Sequence, residues 1–348
     1  MSSLLMSSTG LAGPDPVTGT ELAKRVVAEA VWAPSVNNTQ PWRFGVYRHG
    51  IDVYADPGRQ LAVADPHGRE MLISCGAALF TARLAVRGFG YIPEAEILPD
   101  PAGPMLIARV SWAHEAAPTE YEHRLLRQVR QRRTHRGGFD PLPLSGEFLA
   151  VLQECAERHG VQLRIVSDEG CRAALAAVVG TAERALEFDS AYVQELAAWT
   201  SPPGSTRPDG VPVTAYPARP ERTVPPFPGR SFARGRGWGM PGIRGAARSA
   251  GVVCLLATQA DRPADWINAG QALQRILLTS AAWGVAVALH SQPVELGWAR
   301  ELIRSRLHDP ACPQLLLRLG TVIQTTASVR RPPASVVFPG GSEPPCPG

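Results

Sequence analysis

The chain has 348 residues, 45% of them hydrophobic, with 35 Lys and Arg against 31 Asp and Glu and a formal charge of +4. That length suits two domains or one large one around a sizeable core, and the spread of basic residues argues for a local anion site and against a nucleic-acid or membrane surface. Six cysteines stand singly, with no C-x-x-C pair, no histidine at zinc spacing, no apolar leader with a charged start and no apolar run approaching bilayer length, so reduced thiols in a cytoplasmic protein are expected.

In chain order, Leu22, Val26, Val27 and Val31 predict a helix over 18–33 that ends at Pro34. Gly45 to Tyr54 reads as a hairpin turning around His49-Gly50, 69–88 as a long apolar helix, and Met105 to Trp112 as a closing strand. Asp65, Arg69 and Glu70 fit the start of that long helix, where acids meet its positive end. A second unit then begins, with helices over 119–132 and 146–159, a strand over 161–166 and a helix over 168–198. Beyond residue 250 the pattern gives a strand at 251–257, a helix at 264–284, a strand at 285–290, a helix at 294–306 and a strand at 315–322. The tail from Pro332 to Gly348 is rich in proline and glycine and reads as extended or loose.

Between Ser201 and Arg248 proline, glycine and arginine dominate, and regular structure is expected to be sparse. So long a connection is either a functional cover or a disordered insert; Tyr216, Phe227, Phe232 and Trp238 are apolar anchors that lean towards a cover. Gly237 to Gly242 spells G-x-G-x-x-G, but no strand precedes it and no adequate helix follows, so a dinucleotide fingerprint is rejected.

The nine residues Pro34-Ser35-Val36-Asn37-Asn38-Thr39-Gln40-Pro41-Trp42 concentrate small polar groups, amides and an indole. Each proline disfavours helix for the residue before it, so the segment should run extended and present Ser35, Asn38 and Gln40 outward to something flat and polar-edged. The same composition also suits a helix end with an ordinary turn.

Placing residue 76 against 270 aligns Ile73 with Ile267, Gly76 with Gly270, Ala78 with Ala272, Leu79 with Leu273, Leu84 with Leu278 and Gly90 with Gly284. A glycine beside alanine lets another helix approach closely, so the two helices are expected to form an internal pair that imitates a homodimer. Convergence of two Ala/Leu/Gly-rich helices gives the same identities. The polar motifs are not duplicated: Arg132-Arg133-Thr134-His135-Arg136 and Arg330-Arg331-Pro332 occur only later in the chain. If Arg132 to Arg136 runs extended, Arg132, Thr134 and Arg136 share a face that suits a phosphate, with Arg330 or Arg331 closing the cage. With Arg124, Arg127 and Arg130 before it, the run also suits an exposed basic helix face.

Arg-x-Thr-x-Arg near a helix end, Pro-Ser-x-x-Asn-x-Gln-Pro-Trp and a late Arg-Arg-Pro together resemble the FMN-dependent nitroreductase family, most closely its Acg branch, in which two nitroreductase-like halves are fused. The likeness covers nearly the whole chain and is weakest over 201–248. It implies an α+β nitroreductase fold duplicated in one chain: an N-terminal half over 1–118, a C-terminal half over 119–331 carrying the 201–248 lid or insert, and an extended tail over 332–348. It further implies FMN, with Arg132, Thr134 and Arg330 or Arg331 at the phosphate end and Arg136 at the pyrimidine edge. Pro34, Ser35, Asn38 and Gln40 would hold the isoalloxazine side, and Ser291 and Gln292 would stand where the family donates to N5. The match there is loose, since His290-Ser291-Gln292-Pro293 replaces the usual acid.

The activity so implied is hydride transfer from NAD(P)H through the flavin to a nitroaromatic, quinone or similar conjugated acceptor, with ping-pong kinetics. A lid-closed protein that sequesters FMN with little or no turnover is the alternative. Neither nucleic acid nor membrane is expected as a partner. The chain is expected as a monomeric pseudo-dimer, with further homodimerisation left open.

Overall fold

A computed structural model describes residues 19–103, 105–241, 248–322 and 328–340. Helix α1 (Gly19–Ala30) buries Ala23, Val26, Val27 and Ala30, and the hairpin β1 (Trp42–Tyr47) and β2 (Gly50–Ala55) follows. Next come α2 (Arg69–Gly88), β3 (Tyr91–Ile97), β4 (Leu106–Glu115), α3 (Glu120–Gln128), β5 (Thr134–His135), α4 (Gly146–Glu157) and β6 (Gln162–Val166). The expected 168–198 helix is α5 (Glu169–Phe188) and α6 (Ser190–Ala198), separated because the Asp189 side chain caps Ala191 and Tyr192 and starts a new helix. Then follow β7 (Thr223–Val224), β8 (Arg248–Ser249), β9 (Val252–Thr258), α7 (Pro263–Ala282), β10 (Ala286–His290), α8 (Gln292–Glu295), α9 (Gly297–Leu307), β11 (Cys312–Gly320) and β12 (Val337–Pro339).

Two five-stranded sheets carry the fold, in the orders β12-β1-β2-β4-β3 and β5-β10-β11-β9-β6. Each contains the same path: a strand, a twenty-residue helix, a strand, and a return strand that inserts between the two. The added edges differ. β12, from the tail, pairs parallel to β1, whereas β5 pairs parallel to β10. Residues 337–339 therefore complete the sheet that began near residue 42, and the tail is ordered there through main-chain hydrogen bonds such as Phe44 N to Val336 O. Residues 341–348, with Cys346, and residues 1–18 lie outside the described set.

Helices α2 and α7 cross at their aligned glycines. A Cβ on Gly76 would collide with the Ile267 carbonyl, and one on Gly270 with the Ile73 carbonyl, so each helix offers the same contact to the other. Around this crossing lie two cores, one holding Trp42, Phe44, Leu79 and Trp112, the other Phe148, Leu152, Leu273 and Leu317. α2 is long and apolar enough to cross a membrane by length and composition, a test the sequence was expected to fail; here it is a core helix, mostly buried.

Five strands escaped the sequence reading, among them the two-residue β7 and β8 and the tail strand β12. β3 is Tyr91–Ile97, an edge strand with exposed residues on both faces and so no apolar alternation. β5 is two residues long and is defined by its neighbour alone. The described part of 201–248 is packed: Val211, Tyr216 and Phe232 sit against Leu61 and Leu196, and Phe227 against Leu175. Gly237 and Gly239 lie in a loop where Met240 N bonds Tyr216 O and Ala218 N bonds Met240 O; Gly242 is outside the described residues.

Candidate functional site

Between Pro34 and Trp42 the chain does turn, but inward. Asn37, Asn38 and Gln40 adopt positive φ of 45°, 56° and 52°, a region where Asn is tolerated and most other side chains are strained. Ser35 Oγ accepts from Gln40 N at 2.9 Å and pins the turn. This reverses the expectation for two of the three polar side chains. Asn38, 8% exposed, donates to Gly210 O at 2.9 Å and accepts from Arg330 Nη1 at 3.1 Å. Gln40, fully buried, donates to Pro208 O at 2.9 Å and accepts from Arg331 N at 2.8 Å. Both amides therefore fasten the 330–331 segment and the proline-rich segment to the 34–42 turn. Pro34 and Ser35 remain on the cavity wall, with Asn37 beside them.

That wall belongs to a cavity lined by α2, α7, the second sheet and the proline-rich segment. Ile73 of α2, Leu273 of α7, Leu289 of β10 and Leu315 of β11 give it an apolar slot. Thr134 and Arg136 enter from β5 and the residue after it. Arg132 lines an adjoining recess that shares Thr134 and His135 with the cavity.

Arginines crowd one end. Arg132 is 4% exposed, and its Nε and Nη1 have no partner. Arg330 reaches in from the far end of the chain, donating to Asn38 Oδ1 and Trp32 O while its Nε stays unpartnered. Arg136 donates to Ala215 O at 2.9 Å and lies over the Phe232 ring, 5.3 Å from its centroid. Burial lowers the Arg132 pKa to about 10, with Arg133 and Arg136 adding repulsion, and burial and Arg230 bring Arg136 to about 10. Arg330 is pushed well down by burial and by Arg132, Arg133 and Arg136. No carboxylate offsets these three among the described residues. Buried guanidiniums without counter-charge or full hydrogen bonding are costly unless an anion completes them. Arg331 turns elsewhere, donating to Gln40 O at 3.2 Å and Ser335 O at 3.3 Å.

Acids gather at the other end. Arg230, from the proline-rich segment, pairs with Glu295 and donates to Asn37 Oδ1 at 3.1 Å and Ser291 Oγ at 3.0 Å, so one side chain ties that segment to the 34–42 turn and to α8. Burial would lower its pKa, but Glu295, Tyr192 and Glu183 hold it above the usual range. Ser291 donates to Glu295 at 2.8 Å, and Gln292 donates to Glu183 at 3.1 Å. Glu70, the second residue of α2, takes one hydrogen bond from Arg69 at 3.0 Å and leaves Oε2 buried and unpartnered in the cavity. Burial and the neighbouring Glu295 push its pKa well up.

His290 and Arg318 were not singled out from sequence. Arg318 lies between the Phe139 and Phe227 rings and donates to Ala250 O at 2.9 Å, Gly137 O at 3.1 Å and His290 Nε2 at 2.7 Å. Burial and the Arg318 and Arg230 charges keep the His290 pKa well down, so the neutral ring carries its proton on Nδ1, which has no partner. A lone arginine inside Leu315-Leu316-Leu317-Arg318-Leu319 was the available signal. The cavity thus combines an apolar slot, a guanidinium end and unpartnered donor and acceptor atoms, which fits a flat ligand with an anionic tail.

The chain is 32% identical over 301 residues to the Mycobacterium tuberculosis protein Rv3131, named as an NAD(P)H nitroreductase, covering 86% of this chain and 85% of that one. It is 29% identical over 307 residues to the protein acg of the same organism, named in the same way, covering 88% and 91%. Among solved structures, a Desulfitobacterium hafniense nitroreductase with bound FMN matches with a TM-score of 0.40 and 14% identity, over 62% of this chain and 97% of that one. No family model matches.

Proposed function

Since the chain belongs to the nitroreductase family, in the group that includes Acg, we propose that it is an FMN-dependent oxidoreductase that takes hydride from NAD(P)H and reduces a small conjugated acceptor, such as a nitroaromatic or quinone. The observation that carries this reading is the buried cluster of Arg132, Arg136 and Arg330, free of carboxylates and with unpartnered N–H groups on Arg132 and Arg330, beside an apolar slot that Arg136 lines. Arg132 and Arg330 would hold the phosphate with Thr134 beside them, and Arg136 would bring positive charge to the pyrimidine edge. Pro34, Ser35 and the Ser291-Gln292 segment would border the ring. FMN bound there supplies two-electron hydride chemistry. The protein's own part is to orient: Ile73 and Leu273 shape the slot, His290 holds a neutral N–H donor, and Arg230 keeps the cover seated.

The repeated strand path and the reciprocal Gly76/Gly270 contact support reading the chain as a duplicated unit that acts as a pseudo-dimer, with 119–331 as its second half. Its polar motifs are unequal, so one cofactor per chain is expected. The test mixes FMN-loaded protein with NADH or NADPH without oxygen. Loss of the yellow absorbance, and its return on adding a quinone, is the expected result. A chain that stays colourless after reconstitution, or a bound flavin that neither nicotinamide bleaches, overturns the proposal.

A further inference from the structure

A second cleft lies between the C-terminal halves of α2 and α7 and the helices α3 and α4, and shares no lining residue with the first cavity. Five arginines line it. Two are neutralised: Arg87 bonds Glu122 at 2.8 Å, and Arg158 pairs with Glu154. Arg83, Arg124 and Arg275 have no ion pair among the described residues, so the cleft keeps a net positive charge.

Arg83 and Arg275 come from the two crossing helices and repel one another, which, after burial, lowers the Arg83 pKa. Arg83 spends one nitrogen on Gln271 Oε1 at 2.7 Å, and its Nε is buried without a partner; so is Nε of Arg275. Phe80 is packed by the Arg275 guanidinium at 5.1 Å and by the His159 ring at 5.7 Å. His159 Nε2 is also buried and unpartnered, and burial with Arg275, Arg83 and Arg158 takes its pKa to about 3, so it adds no charge. Apolar walls stand beside the cations: Leu84, Val151 and Trp283, the last 48% exposed. Like charges placed together with unused donors are stabilised by an anion, and a wall of this kind accepts an apolar body next to it.

We infer that this cleft is a second ligand site, separate from the flavin groove, for a phosphate monoester whose phosphate lies between Arg83 and Arg275 and whose aromatic or apolar body rests against Trp283 and Leu84. The inference does not rest on the flavin reading.

The test titrates inorganic phosphate and phenyl phosphate into the full chain carrying Arg132→Ala, Arg136→Ala and Arg330→Ala, which removes the three groove cations without a carboxylate partner. Phenyl phosphate is expected to bind at least tenfold more tightly than inorganic phosphate. Adding Arg83→Gln and Arg275→Gln should weaken it by at least tenfold per guanidinium removed. Should that variant fail to fold, Arg124→Glu and Trp283→Ala, both at exposed positions, decide: each should weaken binding several-fold. Absence of binding, or affinity unchanged by these substitutions, overturns the site; equal affinity for the two probes overturns the ligand class.

Discussion

The two ends of the first cavity are both buried and both charged, yet they are solved differently. At the acid end Glu70, Glu183 and Glu295 face Arg69 and Arg230, hydrogen bonds link them to Ser291 and Gln292, and the charge is answered from within the chain. At the cation end Arg132, Arg136 and Arg330 have backbone oxygens and an amide for partners but no acid, with several N–H groups left over. A buried ion pair holds structure together; a buried cluster of one sign calls for a ligand. The difference leaves one end to the scaffold and the other to the proposed anion.

The sharpest way to break that contrast is to remove the cations. Arg132→Ala with Arg136→Ala is expected to lower FMN affinity by at least a hundredfold and yield colourless protein, since each charge-assisted contact contributes about 1.5–3 kcal/mol. Flavin content of the purified, reconstituted variant is the measurement, and full occupancy would refute the assignment. A smaller effect separates the adjacent arginines: Arg330→Ala should cost about tenfold in FMN affinity, whereas Arg331→Ala, whose side chain bonds Gln40 O and Ser335 O, should change it less than threefold. Equal losses would mean that both reach the anion.

The smallest effect tests the acid end. Glu70 faces Arg69, Asp65, Glu295 and Arg230, and its folded-state pKa stands above its unfolded value, chiefly through burial. A raised pKa means that the folded state holds its proton longer, so this stability is full below the ordinary carboxylate range and is lost as pH rises through the raised value. Glu70→Gln cannot ionise and is expected to lose less stability on that rise. Urea unfolding at several pH values checks it; parallel curves for the two proteins would show that Glu70 titrates alike in the folded and unfolded chain.

Much of the site was legible because it rests on local chemistry. Proline spacing announced the end of α1 but predicted an extended segment where 36–40 turns, while glycine and alanine spacing announced the α2/α7 crossing, since close helix approach needs small residues at one register. What could not be read was direction. Asn38 and Gln40 had the composition of ligand contacts, but a left-handed backbone at three residues turned them inward. Arg230 was one arginine among many in a proline-rich stretch, and only its distance of 3.0 Å to Ser291 and 3.1 Å to Asn37 marks it as the clasp. β3 and β12 carried no apolar period of their own and exist through their neighbours.

By itself the sequence determined the helices, the principal strands and the two polar motifs, because propensity and periodicity act over a few residues. Tertiary structure alone decided that Arg330 meets Arg132 and Arg136 from nearly two hundred residues away in sequence, that the tail completes the first sheet, and that acids face one end of the cavity only. Charge neutralisation and strand pairing depend on which groups come within a few ångströms once the chain has folded, and no local pattern records that distance.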